Sequence, residues 1–529
     1  MARPIYLNLV LHAHLPYVRH PEYADALSET WLFEAINECY LPLLRMLDRL
    51  ARDQVDYRLT LSLSPTLLSQ LDDPLLKQRF RDYNLRRIRL AEQEIERLRH
   101  RPKMQRLARW YSNLFVTNLD DFEQRYQTDL PGAFAAHRQT GRLVLITTAA
   151  THGFLPLLRA DATAIGSQIR VGLDAFRRRF GFASKGFWLP ECGYYPGLER
   201  ELAAHGIGYF YTENHAILHA EPVPAAGVYA PVQVGGVQAF ARHPALSAAV
   251  WCAHQGYPGH PYYREYHRDI GFELSEAVLR PCLLDGDVRV NTGIKYHRVT
   301  GHEQKALYEP ERAAEQAWRH AEQFVMAAEQ VATSAKGRDA VLLNVPFDAE
   351  LFGHWWFEGP IWLEAVLRCC AQRYSPLQLT SAQHWLQSGR DTHCAQLAAS
   401  SWGEKGYNQY WLNAETCWIY PKLRQSQQTL SQLARQFVDL DRQDWRCRAL
   451  NQAARNLLLA QASDWPFMLS AKTLPDYARQ RVENHLARFN YLQDSVLRHR
   501  INSDYLEALE YLDNIFPALD FRDYAVRLG

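Results

Sequence analysis

Charge of one sign is what this 529-residue sequence lacks first: 59 Lys and Arg stand against 58 Asp and Glu, a formal charge of +1. No global field therefore concentrates a polyanion, so nucleic acid fits poorly as a partner and a neutral ligand fits better. Long apolar runs are missing too. The run inside the N-terminal "MARPIYLNLVLHAHLPY" is interrupted by histidines and a proline after about seven residues, and no later stretch reaches the roughly 18 residues of a membrane span. It reads as a strand, not a leader or an anchor. Cysteine is sparse and unpatterned, with nine residues, an odd number, and no CxxC pair. Such scatter argues against a disulfide framework and suits free thiols in a reducing cytoplasm. Low-complexity segments and internal repeats are likewise not evident.

What is present is the composition of a folded protein, 47% hydrophobic and 22% charged. A chain this long exceeds one ordinary core, so the expectation is a large domain carrying an insertion, plus a second domain. Aromatic residues make up 12%, with 14 Trp, which serves either a packed core or stacking against the apolar faces of sugar rings.

Five short apolar runs share one property: each ends in polar or ionisable residues followed by Pro or Gly. They are "IYLNLVLHAHLPY", "RLVLITTAATHGFLP", "GFWLPECGY", "GIGYFYTENHA" and "AVLLNVPFDAELFGHWW". Runs without polar alternation, separated by helical stretches, indicate strands buried on both faces of a parallel sheet. Functional groups at their C-terminal ends are what a βα barrel or open α/β sheet produces. Between 75 and 135 the sequence turns to Arg, Leu and Glu at three-to-four spacing, which predicts an inserted helical unit with a solvated basic face. From 415 the strand signal fades, and "LSQLARQFVDL" places Leu430, Leu433, Phe437 and Leu440 on one helical face. The expected order is barrel over 1–74, helical insertion over 75–135, barrel again over 136–414, and a helical domain over 415–529.

The chemistry-bearing groups sit at the strand ends. His12 and His14 in "HAHLPY" are two apart and project to one side. They could hold a metal with His152 or Asp25, donate to a polar ligand, or be satisfied within the core. Glu191 and Asp348 close two different strands. A retaining cleavage of a glycosidic bond needs one carboxylate to attack and another to deliver and remove a proton, about 5 Å apart. Large apolar neighbours border both, which raises the pKa of a proton donor, but residue types alone do not divide the two roles. Glu350 and Glu213 compete for the same work, and either carboxylate could instead cap a following turn. "SSWGEKGYNQYWLN" sets Trp402, Tyr407, Tyr410 and Trp411 around a glycine-containing loop. These rings suit sugar stacking or packing against the helical domain. Residues 254–273 form a second polar and aromatic loop with His254, His260, Arg264 and Asp269.

Five blocks in order, "HAHLPY", "TTAATHGFLP", "GFWLPECGY", "NVPFDAELFGHWWFEG" and "SSWGEKGYNQYW", resemble glycoside hydrolase family 57 and, within it, the 1,4-α-glucan branching enzymes. The resemblance covers nearly the whole chain. It implies an incomplete (β/α)7 barrel with an inserted helical domain and a C-terminal all-α domain, and a retaining mechanism without metal or cofactor. It assigns Glu191 as nucleophile and Asp348 as acid/base, with His12, His14, His152, Trp402, Trp411 and Asp464 on the substrate; Arg264, from the 254–273 loop over the strand ends, is the further substrate-binding candidate. The implied partner is an α-1,4-glucan, with neither nucleic acid nor membrane involved. It also implies a mobile loop whose tyrosine covers the site. Residues 225–247, with Tyr229 as their only tyrosine, are the matching region, and their shortness predicts a hydrolytic side reaction. Amylase or 4-α-glucanotransferase activity on the same scaffold remains the nearest alternative. A metal-dependent deacetylase using the HxH pair is a more distant one.

Overall fold

The computed structural model describes residues 3–252, 256–335, 340–372, 375–390 and 392–525. Its strands are β1 (Ile5–Ala13), β2 (Leu59–Leu63), β3 (Leu143–Thr148), β4 (Gly186–Trp188), β5 (Tyr209–Thr212), β6 (Val232–Val234), β7 (Val237–Ala241), β8 (Val341–Asp348), β9 (Leu377–Thr380) and β10 (His393–Cys394). They form one sheet in the order β10-β6-β7-β5-β4-β3-β2-β1-β8, with β9 beside the first half of β1. Every pairing is parallel except β6 with β7. The apolar runs are continuous because the strands are covered on both sides: all of β1 except Tyr6, and all of β8 except Asp348, is buried.

Seven of these strands, β8 through β1 to β7, curl into the incomplete barrel. Their inward side chains, among them Val10, Ile146, Trp188, Tyr209, Tyr211, Phe240 and Leu342, fill the interior as a core of their own, closed by Ala382 and Trp385. Among the described residues no ladder joins β7 to β8. The gap is bridged by the His243 N–H donating to the Asn344 carbonyl at 2.8 Å and the Asn344 amide donating to the Ala241 carbonyl at 3.1 Å.

Residues 225–247 are largely ordered into regular structure. After a turn at Gly227–Tyr229, β6 and β7 make a tight hairpin through Gly235 and Gly236, at φ of 51° and 86°. Positive φ at both central positions is the turn geometry that matches strand twist. The alternation of Val232, Val234, Val237 and Ala239 buries one side of the hairpin, and β7 is anchored further by pairing with β5.

Helices Pro74–Arg97 and Pro102–Asp120 lie side by side, and the first starts where the Asp73 carboxylate accepts the Leu76 N–H with Pro74 at the first helical position. Leu76, Phe80, Tyr83 and Leu90 on the first of them join the core that covers the outer face of β1 and β8. Helices Ile419–Gln436, Trp445–Ala460, Asp464–Ala471, Pro475–Leu497 and Ser503–Leu512 share a second core with Phe187 and Phe210 of β4 and β5. Leu430 and Leu433 are buried as the spacing predicts. Phe437 and Leu440 lie past the helix end and pack only partly. Cys39, Cys192, Cys282, Cys370 and Cys447 are buried free thiols, and among the described residues no helix is long and apolar enough to cross a membrane.

Candidate active site

The open end of the barrel is built by the segments that leave each strand. Past β4 the chain turns sharply at Pro190–Cys192, with Glu191 and Cys192 in the left-handed region at φ of 58° and 49°. That conformation costs a non-glycine residue about 1 kcal/mol or more, and surrounding bonds hold it in place. The Glu191 carbonyl accepts the Trp402 N–H at 2.9 Å. Its carboxylate takes the Trp402 indole Nε1–H on Oε2 at 2.6 Å and the Ser463 hydroxyl on Oε1 at 2.8 Å. With 12% of the side chain exposed, burial pushes its pKa up to about 7, against the pull of these two donors.

Asp348 ends β8 directly beside His12 of β1 in the parallel register. Burial drives its pKa well above the usual carboxylate range. Glu350 and Glu191 add to the rise, and only Arg242 opposes it. Among the described residues no hydrogen-bond donor reaches its carboxyl. The two groups therefore differ in kind: Glu191 receives two donors that favour its anion, while burial and two neighbouring carboxylates favour the neutral form of Asp348.

The competing carboxylates have other engagements. Glu350 Oε1 accepts from the Tyr40 hydroxyl and from the His14 N–H at 3.2 Å, and burial raises its pKa to about 7. Glu213 pairs with Arg242 at 2.6 Å, and the Arg242 guanidinium stands 5.4 Å from the Trp402 ring centre.

The three histidines do not act alike, and two of them form a relay. His12 Nδ1 meets Ser62 Oγ at 3.0 Å, and His12 Nε2 meets His152 Nε2 at 3.0 Å. His152 Nδ1 meets Ser463 Oγ at 2.8 Å. Burial holds both imidazoles neutral, their pKa values well below the usual histidine range. When Ser463 donates to ionised Glu191, the direction of every bond is set: His152 donates to Ser463, His12 to His152, and Ser62 to His12. His14 sits apart, with Nδ1 2.9 Å from Ser64 Oγ and Nε2 3.2 Å from both Asp464 oxygens. Burial lowers its pKa, but the Asp464 charge and hydrogen bond outweigh this and the net shift is upward.

Each ring nitrogen thus has a protein partner, and a sugar hydroxyl would have to displace one. The nitrogens face one another and the protein, so they do not converge as metal ligands, and among the described residues no group of three or more ligating side chains is gathered. Asp25, the other candidate ligand, is bound by Arg86 at 2.8 Å.

Two substrate assignments do not hold geometrically. Arg264 is buried between Glu38, at 2.9 Å, and the Phe357 ring, 3.8 Å from its guanidinium, so its charge is spent inside the protein. Trp411 is 1% exposed and stacked on Phe154 at 4.5 Å, beneath the loop rather than in the cleft wall. Asp269 is a structural staple, accepting from Gly271, Thr292 and Gly293, and His260 packs against Tyr263 and His320. His254 lies outside the described residues. Tyr407 edges against His215, and Tyr410 packs against Phe467 with ring centres 5.0 Å apart.

Sequence reasoning missed Ser463, which adjoins Asp464, and Arg242. It also missed Trp251, 46% exposed and stacked on Trp402 at 6.4 Å. Ser62 and Ser64 had a readable signal: with Thr60 they form a polar period-two stripe at the end of an apolar run, pointing inward.

Two family models match the chain: glycosyl hydrolase family 57 over residues 8–374, and 1,4-alpha-glucan branching enzyme, C-terminal, over residues 422–524. The chain is 31% identical to a 1,4-alpha-glucan branching enzyme of Thermococcus kodakarensis, over 97% of this chain and 77% of the relative. Among solved structures it is similar to the alpha-amylase AmyC of Thermotoga maritima, at 37% identity, TM-score 0.92 and 100% of both chains. It is also similar to the branching enzyme of Pyrococcus horikoshii, at 31% identity and TM-score 0.88, over 99% of this chain and 97% of that one.

Proposed function

We propose, since the chain belongs to glycosyl hydrolase family 57, that it is a 1,4-α-glucan branching enzyme with hydrolytic side activity. The observation that carries the mechanism is the asymmetry of two carboxyls at one barrel mouth: Glu191 holds two hydrogen-bond donors, whereas Asp348 has none among the described residues and its pKa is driven well above the usual carboxylate range. Asp348 gives its proton to the glycosidic oxygen as the Glu191 carboxylate attacks the anomeric carbon, forming a β-linked glycosyl-enzyme and releasing one chain end. Asp348, now ionised, takes a proton from the incoming hydroxyl, which displaces Glu191 and restores the α configuration. A glucan 6-hydroxyl as acceptor makes a branch; water makes a reducing end. The relay from Ser62 to Ser463 orients the attacking carboxylate, and the His14–Asp464 pair and Trp402 face the sugar. The match of residues 422–524 to the branching-enzyme C-terminal model, together with the named relatives, supports the transferase reading.

Hydrolysis is the second reading, and a specific observation favours it: the residues from Val232 to Ala241, within the stretch matched to the covering loop, are taken up by a sheet hairpin. Exclusion of water decides between the two outcomes. Incubation with amylose, counting α-1,6 signals against new reducing ends, tests the proposal. Branch points exceeding new reducing ends support transfer; reducing ends alone make the protein an amylase.

A further inference from the structure

Two adjacent tryptophans in the segment beyond Asp348 are treated in opposite ways by the fold. Trp356 is 2% exposed, whereas Trp355 is 57% exposed. An exposed indole is ordinarily free to change rotamer, but this one is fixed on several sides. One face lies parallel to the Tyr266 ring, with centres 5.3 Å apart and planes at 17°, and one edge meets His354 at 5.5 Å. The Trp355 backbone N–H donates to the Glu350 carbonyl at 3.2 Å. Its supports are fixed in turn. Tyr266 gives its carbonyl to Lys295 Nζ at 2.6 Å, and that ammonium stands 4.4 Å from the Tyr266 ring centre. His354 Nδ1 meets Glu38 Oε2 at 2.7 Å, and the other Glu38 oxygen holds Arg264 at 2.9 Å. At Gly353, φ is 115° and a Cβ would stand 1.7 Å from the Glu38 carbonyl oxygen, so the segment lies directly on the π-helical stretch Ile36–Tyr40.

We infer that Trp355 is a preorganised stacking platform for a glucose ring of the leaving or acceptor chain. The inference rests on the glucan reading above and adds a subsite to it. Three features point to that ligand. The indole has one face covered and the other open, the arrangement that receives the apolar C–H face of a sugar. Its supports are rigid before any ligand arrives, so little ordering is lost on binding. Its location is continuous with the cleft, because the same Glu350 that accepts the Trp355 N–H through its carbonyl accepts the His14 N–H through its carboxylate. Since Asp348 protonates the leaving oxygen, the segment running on from Asp348 flanks the chain that leaves and the chain that replaces it. This gives Arg264 a role the cleft does not: through Glu38 and His354 it is a positioning residue for the platform.

The test is made in an E191Q background, where turnover is removed and maltoheptaose binding is read at equilibrium by calorimetry. Trp355→Ala weakens binding by about tenfold and Trp355→Phe restores most of it, with thermal midpoints unchanged. In the otherwise wild-type enzyme, Trp355→Ala raises KM for amylose and lowers the ratio of branch points to reducing ends. Equal maltoheptaose affinity with and without the indole overturns the inference and leaves the glucan reading intact. Failure of the E191Q parent itself to bind maltoheptaose overturns both.

Discussion

Replacing Glu191 by glutamine tests the site through stability as well as turnover. Burial lifts the carboxyl from the ordinary 4.5 to about 7, a gap equivalent to about 3 kcal/mol at 1.36 kcal/mol per pH unit. Below pH 4.5 the group is protonated whether the chain is folded or not. Between 4.5 and 7 only the unfolded chain ionises, so the folded state loses ground as pH rises, and above 7 the loss is complete. Glutamine does not titrate, yet it keeps the shape and both bonds: its oxygen accepts the Trp402 indole, and its amide donates to Ser463. The stability of Glu191→Gln relative to wild type therefore rises by about 3 kcal/mol between pH 4 and pH 8. In a chain of this length, whose unfolding entropy scales with size, that is about 3 °C in thermal midpoint. Turnover on amylose falls by roughly 10⁴-fold or more. Scanning calorimetry at the two pH values, with reducing-end and branch assays alongside, reads both effects. A midpoint difference that stays flat across this pH range refutes the account of burial, and a variant with wild-type turnover refutes the role of the carboxylate.

Ser463→Ala removes one of the two donors to Glu191, which favours its neutral form; the acidic limb of kcat/KM moves to higher pH by roughly one unit, and an unmoved limb contradicts the relay. Gly353→Ala forces a Cβ to 1.7 Å from a backbone oxygen at a φ of 115°, and the expected destabilisation of about 3 kcal/mol or more is read in a denaturant titration. Dialysis against a chelator leaves turnover unchanged, because the histidine nitrogens are engaged with one another; activity lost and then regained with zinc would restore the deacetylase-like alternative.

The sheet was legible wherever burial on both faces made an uninterrupted apolar run: β1, β3, β4, β5 and β8 are all marked in that way. Residues 232–241 were not, because Gly235 and Gly236 look equally like a loose loop and a tight turn. Only pairing with β5, which is remote in sequence, decides for the turn. Asp348 and Glu191 could be placed at strand ends from the residues alone, but their protonation could not. It depends on burial at both, and at Glu191 also on the indole of Trp402 and the hydroxyl of Ser463 arriving from more than two hundred positions away. Arg264 and Trp411 went the other way. A charge and an indole in polar, glycine-containing loops look available to a ligand, and nothing local reveals that Glu38 and Phe154 already occupy them.

Ser463 and Asp464 belong to the C-terminal helices, while every other group around the two carboxyls comes from the barrel or the loops that rim it. Shared ownership of this kind makes the interface between the two halves a gatekeeper of competence. A half-folded chain would hold Glu191 with one donor fewer and His14 without its counter-ion, so the full arrangement around the attacking carboxylate is reached only when the last helices dock.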